Sequence, residues 1–271
     1  MNIPNLKMND GKEIPQLGFG TFKTTTDEAY NSVLKALESG YRHIDTAAIY
    51  GNEEGVGNAI ADSDVAREDI FLVSKVWNDR HGYDEAIEAF EETLKRLKTD
   101  YLDLYLIHWP KEKNLETWKA LESLKAAGKI KSIGVSNFKI HHLEEIIENS
   151  DTVPAVNQVE LHPQFQQEKL REYCEENGIL IESWGPLMQG QIFDKETVIE
   201  TAQKYSKTVA QVTIRWHLQK GFIVIPKSSN PERIRSNIDV FDFTLTDDDI
   251  RKIDTLNLQT RIGPDPDLIT F

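Results

Sequence analysis

The chain has 271 residues and a single cysteine, so no intrachain disulfide can form and the fold must be held by packing. One unpaired thiol fits a reducing compartment such as the cytosol. Its setting, Leu170-Arg171-Glu172-Tyr173-Cys174-Glu175, reads as a helix in which Cys174 is a packing residue without a nucleophilic role. Long hydrophobic runs are also missing. No window is long enough to span a bilayer, and Met1-Asn2-Ile3-Pro4-Asn5 lacks the apolar stretch of a signal peptide. Basic charge is scarce: 31 Lys and Arg against 45 Asp and Glu leave a net charge of −14. That field repels phosphate polymers and anionic surfaces, which excludes nucleic-acid and membrane partners. An anionic ligand would need a local basic cluster. A Gly-x-Gly-x-x-Gly fingerprint is absent too, because Gly18-Phe19-Gly20-Thr21-Phe22-Lys23 lacks the third glycine, so a Rossmann site is excluded. His81, His162 and His217 have no second ligand at metal spacing, and His141-His142 open a helix, so no metal site is expected.

What the chain does have is alternation. A hairpin is expected around Asn9-Asp10-Gly11. Short apolar runs then follow at 17–20, 42–45, 71–75, 102–108, 130–135, 155–160, 180–183 and 222–225, as expected for strands buried on both faces. Helical periodicity separates them. It places Tyr30, Val33, Leu34 and Leu37 on one face of 27–39, and Ile87, Phe90, Leu94 and Leu97 on one face of 84–97. Further helices are expected at 115–127, 142–148, 195–205, 209–219 and 247–256, with Trp118 and Trp216 as core residues. Gly40, Gly128 and Gly178 stand where helices should stop. No Pro/Gly/Ser linker or low-complexity run interrupts the pattern. Residues 1–271 therefore read as one α/β domain, a (β/α)8 TIM barrel with an N-terminal β-hairpin and extra C-terminal helices. A doubly wound sheet is the alternative. The tail, with Gly263-Pro264-Asp265-Pro266, is either disordered or draped over an active-site rim.

Four polar residues stand at or just past expected strand ends: Asp45, Tyr50, Lys75 and His108. A lysine closing an apolar strand is costly unless a carboxylate or a reaction needs it. If the strands form a barrel, the four share the mouth where chemistry belongs. A lysine cation lowers the pKa of a neighbouring tyrosine, a buried carboxylate keeps that lysine charged, and a histidine can orient a substrate oxygen. The set suits carbonyl reduction, with Tyr50 protonating the oxygen as hydride reaches carbon. His43 reads as an inner-barrel packing residue.

Three ordered motifs now carry a resemblance. Gly40-Tyr41-Arg42-His43-Ile44-Asp45-Thr46-Ala47-Ala48 with Tyr50, Glu53 and Gly57 resembles the first signature of the aldo-keto reductase family. Ile133-Gly134-Val135-Ser136-Asn137-Phe138 resembles the second, and Ile225-Pro226-Lys227-Ser228 with Arg233 and Asn237 the third. The resemblance implies a catalytic tetrad of Asp45, Tyr50, Lys75 and His108, with Tyr50 as general acid/base. It implies NADPH/NADP+ as cofactor. Ser136, Asn137 and Gln158 would hold the nicotinamide amide, Trp184 would stack on its ring, and Gly185, Leu187, Gln189 and Gly190 would wrap the pyrophosphate. Lys227, Ser228, Ser229, Asn230 and Arg233 would hold the 2′-phosphate, which is the local basic cluster that the chain's charge requires. Thr21, Asp45 and Asn237 complete the cofactor set. Ser236 stands where many members carry Glu. Phe19, Trp77 and Trp109, beside Tyr50 and His108, are the expected substrate walls. The short loops resemble those of bacterial members that reduce 2-oxoaldehydes such as methylglyoxal, or 2,5-diketo sugar acids, and a monomer is implied. Two other readings stand beside this one: a Schiff-base lyase built on Lys75, and a non-catalytic NADPH-binding redox sensor.

Overall fold

The computed structural model describes residues 3–271. Near its N-terminus, Asn9-Asp10-Gly11 reverses the chain between two antiparallel strands, β1 (Asn5–Lys7) and β2 (Glu13–Pro15). The alternating units follow: β3 (Phe19–Gly20), α1 (Thr26–Glu38), β4 (His43–Asp45), α2 (Glu53–Asp62), β5 (Phe71–Val76) and α3 (Tyr83–Leu97). Next come β6 (Leu102–Ile107), α4 (Asn114–Ala126), β7 (Ile130–Ser136), α5 (Ile140–Glu148), β8 (Val156–Glu160) and α6 (Glu168–Glu176). The chain finishes with β9 (Leu180–Trp184), α7 (Glu196–Tyr205), α8 (Val209–Gln219), β10 (Ile223–Val224), α9 (Pro231–Ile238) and α10 (Asp247–Asp254).

Strands β3 to β10 pair in parallel and in chain order. Leu17, just before β3, bridges Val224 of β10 in parallel, and the Gly18 N–H donates to the Val224 carbonyl at 2.9 Å. The ring is closed. Sequential order with closure is the (β/α)8 barrel, and it rules out a doubly wound sheet. No helix of the described residues is long and apolar enough to cross a membrane.

Two apolar layers hold the ring. Outside it, the helix faces read from the sequence pack on the strands: Val33 and Leu37 of α1, Phe90, Leu94 and Leu97 of α3, and Trp118 of α4 are buried. The two core indoles still find acceptors, Trp118 Nε1 donating to Ser150 Oγ and Trp216 Nε1 to Asp254 Oδ1, each at 2.9 Å. Cys174 is fully buried in α6, and burial pushes its thiol up to about 12, which leaves it a packing residue. Helix α2 starts inside the Tyr50-to-Gly57 motif and needs Gly57 for its approach to α3. A Cβ there would lie 2.6 Å from the Leu97 carbonyl.

Inside the ring, Met8 and Ile14 of the hairpin pack against Val73, Leu104, Leu106, Val156 and Ile223. Asn9 Nδ2 donates to the Pro154 carbonyl at 3.0 Å and Ser132 Oγ to Asp10 at 2.8 Å, tying the hairpin to the strand starts. The hairpin is therefore a floor, and the mouth formed by the strands' C-terminal ends is left for ligands.

Candidate active site

The four polar strand-end residues meet at that mouth. Asp45 closes β4, Lys75 is the penultimate residue of β5, His108 follows β6, and Tyr50 ends the helical turn Ala48–Tyr50 after β4. Lys75 Nζ lies 2.7 and 2.8 Å from the two Asp45 oxygens and 2.7 Å from the Thr46 carbonyl. It is 5.2 Å from the Tyr50 ring centroid. A fully buried ammonium is tolerable only with such partners.

Burial alone would pull Lys75 down, but Asp45 and then Tyr50 outweigh it, so its pKa stays above the ordinary lysine value. A lysine held as a cation cannot attack a carbonyl to form an imine, which removes the Schiff-base reading. For Tyr50 the balance differs from the sequence expectation. Burial raises the phenol to about 12 against the opposing pull of Lys75. At neutral pH Tyr50 therefore keeps its proton, with the Lys75 cation beside its ring. His108 is held well below its ordinary value, first by burial and then by Lys75, so it is a neutral hydrogen-bonding imidazole.

Above the tetrad opens a cavity of about 770 Å³. Tyr50 packs between Phe22, with centroids 5.0 Å apart, and His108 at 5.6 Å. Trp77 lies edge-on to His108 at 5.1 Å and stacks on the C-terminal Phe271 at 5.7 Å, while Trp109 meets Phe271 at 5.6 Å. The opposite wall carries Ser136, Asn137, Gln158, Trp184, Gly185, Leu187 and Gln189, with Lys227 at its edge. Trp184 Nε1 donates to Asn137 Oδ1 at 2.8 Å, and Asn137 Nδ2 donates to the His108 carbonyl at 3.0 Å, so the indole is pinned to the tetrad's strand.

Several expected site residues do not line this cavity. Phe19 is in the outer core, 5.6 Å from Tyr41. Strand alternation explains it: Gly20, its neighbour, lines the cavity, so Phe19 must face the helices. Phe22 takes the place assigned to Phe19. Thr21 is fully buried and spends both its N–H and its hydroxyl on the Asp45 carbonyl, so it braces the tetrad from behind. Asn230 caps α9, accepting from the N–H groups of Glu232 and Arg233 at 2.9 and 3.0 Å. Ser228, Ser229 and Arg233 surround that helix start beyond the cavity wall, Asn237 is buried on its inner face, and Gly190 turns the loop behind Gln189 with φ +99.

The tail is draped over the rim. Glu160 accepts from the Gly263 N–H at 3.1 Å, and Asn78 donates to the Phe271 carbonyl at 3.0 Å. Lys139, His141 and His142 gather on Asp267. The ammonium sits 2.6 Å from that carboxylate, and His142 Nδ1 already accepts from the Lys139 N–H, leaving its proton on Nε2. The cluster therefore clamps the tail to the start of α5.

The remaining polar groups fit a nicotinamide dinucleotide phosphate. Gln158 donates through Nε2 to Asp45 and Glu182, and its Oε1 accepts no hydrogen bond among the described residues, which leaves it open to an amide N–H. Lys227 and Arg233, both exposed, form no ion pair among the described residues of a strongly acidic chain.

The chain is similar in sequence and fold to known proteins. The chain is 53% identical over 268 residues to glyoxal reductase of Bacillus subtilis strain 168, covering 98% of this chain and 97% of that one. It is 47% identical over 267 residues to methylglyoxal reductase DkgA of Escherichia coli K12, covering 97% and 96%. A solved structure of a Gox0644 mutant in complex with NADPH superposes with a TM-score of 0.96 at 47% identity over 100% of both chains. Residues 16–258 match the aldo/keto reductase family along nearly the whole barrel, and the chain belongs to that family.

Proposed function

We propose that this chain reduces small 2-oxoaldehydes of the methylglyoxal type to hydroxy compounds with NADPH. The observation that carries the reading is the protonated Tyr50 hydroxyl held over a buried Lys75–Asp45 pair in an aromatic-walled cavity. NADPH, when bound, supplies the hydride. Trp184, Ser136, Asn137 and Gln158 would hold its nicotinamide end, and Lys227 and Arg233 its 2′-phosphate. His108 orients the substrate carbonyl oxygen beneath Tyr50, and Tyr50 gives that oxygen its proton. Lys75, kept charged by Asp45, stabilises the tyrosinate left behind. Phe22, Trp77, Trp109 and Phe271 leave room for a small flat substrate and offer few polar contacts, so the substrate's own second carbonyl must supply the reactivity. Lys23 at the cavity rim favours a second substrate class, the 2,5-diketo sugar acids. The chain's charge and single thiol fit a monomer working in the cytosol.

Tyr50→Phe tests the reading. It keeps the ring's packing and removes only the donor, so turnover of methylglyoxal should fall about 10²–10⁴-fold with NADPH affinity unchanged. Turnover near wild type would overturn it.

A further inference from the structure

Beneath the tetrad lies a second buried carboxyl with no part in the chemistry above. Glu182, in the middle of β9, is fully buried, as is His43 of β4. Gln158 of β8 sits between it and the tetrad: Nε2 donates to Asp45 Oδ2 and to Glu182 Oε2, each at 2.8 Å. The other Glu182 oxygen, Oε1, lies 3.3 Å from His43 Nε2, and neither atom has another partner among the described residues.

The protons can be assigned by chemistry. His43 Nδ1 is 3.1 Å from the Pro15 carbonyl, which can only accept, so Nδ1 carries the hydrogen. In a neutral imidazole Nε2 is then an acceptor, and Glu182 Oε1 can satisfy it only as O–H. Burial favours the neutral form of both partners, pushing the Glu182 carboxyl up, with Asp45 adding to the shift, and His43 down to about 4. The proton between the two thus sits on Glu182 Oε1, and among the described residues Asp45 is the one ionised carboxylate facing Lys75 in the barrel interior.

We propose that protonated Glu182, backed by His43, is a positioning residue that fixes the amide of Gln158 and keeps a second negative charge from beneath Tyr50. With an acceptor on each side, both Gln158 N–H groups must point inward, and its Oε1 is turned to the cavity, where it can accept from the nicotinamide amide. An ionised Glu182 would add a negative charge close to the tyrosinate that forms when Tyr50 gives up its proton, and would oppose that step. This inference rests on the NADPH-dependent reading above.

The test uses two variants of the whole chain. Glu182→Gln reproduces the protonated carboxyl, one acceptor toward Gln158 and one donor toward His43. Glu182→Met keeps the length and removes both. The infrared difference spectrum of wild type minus Glu182→Gln, recorded on cofactor-free protein at neutral pH, should show the C=O stretch of a protonated carboxyl. Fluorescence titration should show NADPH binding weakened about tenfold in Glu182→Met, the effect of freeing one buried hydrogen-bonding group, and restored to within about threefold in Glu182→Gln. A carboxylate band in place of the acid band overturns the inference, as does a Glu182→Gln variant impaired as much as Glu182→Met, or a Glu182→Met variant that binds normally. The infrared band needs neither cofactor nor turnover. A wild-type chain that binds no NADPH, or an active Tyr50→Phe variant, would instead overturn the reading beneath it.

Discussion

Lys75→Met isolates the charge at the centre of the site. Methionine keeps most of the buried length, so the change removes the ammonium and little volume. Asp45 then loses contacts of 2.7 and 2.8 Å, and Thr46 a donor at 2.7 Å, in a place without solvent. Removing one partner of a buried ion pair costs about 3–5 kcal/mol, because the other charge is left uncompensated. At about 2–4 °C per kcal/mol for large domains, the melting temperature should fall by about 6–20 °C. Adding Asp45→Asn removes the stranded charge, and the double variant should recover most of the loss. Turnover should recover in neither, since Tyr50 has lost the cation that stabilises its anion. Calorimetry of wild type, both single variants and the double gives the coupling, and NADPH consumption gives the activity. A Lys75→Met variant as stable as wild type, or a double variant no more stable than Lys75→Met, would refute the assignment of a buried, charged pair.

Replacing Lys227 and Arg233 together by alanine should weaken NADPH by at least tenfold while leaving NADH within a few-fold, because hydrogen bonds to a charged phosphate are lost from one cofactor only; titration of both cofactors checks it, and equal weakening would contradict it. His81 is buried with neither ring nitrogen partnered among the described residues, and burial followed by the Lys111 charge lowers it to about 4. Its folded pKa is below its unfolded value near 6.5, so its contribution is fully present above about pH 6.5 and is lost as pH falls toward about 4, at up to about 1.4 kcal/mol per pH unit. Denaturant midpoints across that window should flatten in His81→Leu, and an unchanged slope would count against the assignment.

The barrel was legible because its strands are buried on both faces and its helices on one, so composition and period distinguish them residue by residue. The tetrad was legible for a related reason: Asp45 and Lys75 break apolar strands, and an interior charge has to be explained. What the sequence hid depends on direction and distance. Phe19 and Gly20 are adjacent, and only the closed ring decides that Gly20 faces the cavity. Phe22 and Phe271 belong to irregular segments where no period predicts a side chain's heading. Glu182 lies in an apolar strand much as Lys75 does and could have been flagged by the same rule, but its partners Gln158 and His43 come from other strands. The net effect on Tyr50 was equally out of reach, since a lysine's pull and the cost of burial oppose each other and only the degree of burial ranks them.

The most direct test of the account is kcat/KM measured with NADPH across methylglyoxal, a 2,5-diketo sugar acid, an unactivated aldose and a steroid ketone. The aromatic cavity roofed by Phe271 gives little remote binding energy, so methylglyoxal should rank first, with the diketo acid next. An aldose or steroid ketone in first place, or no NADPH consumption with any of the four, would contradict it.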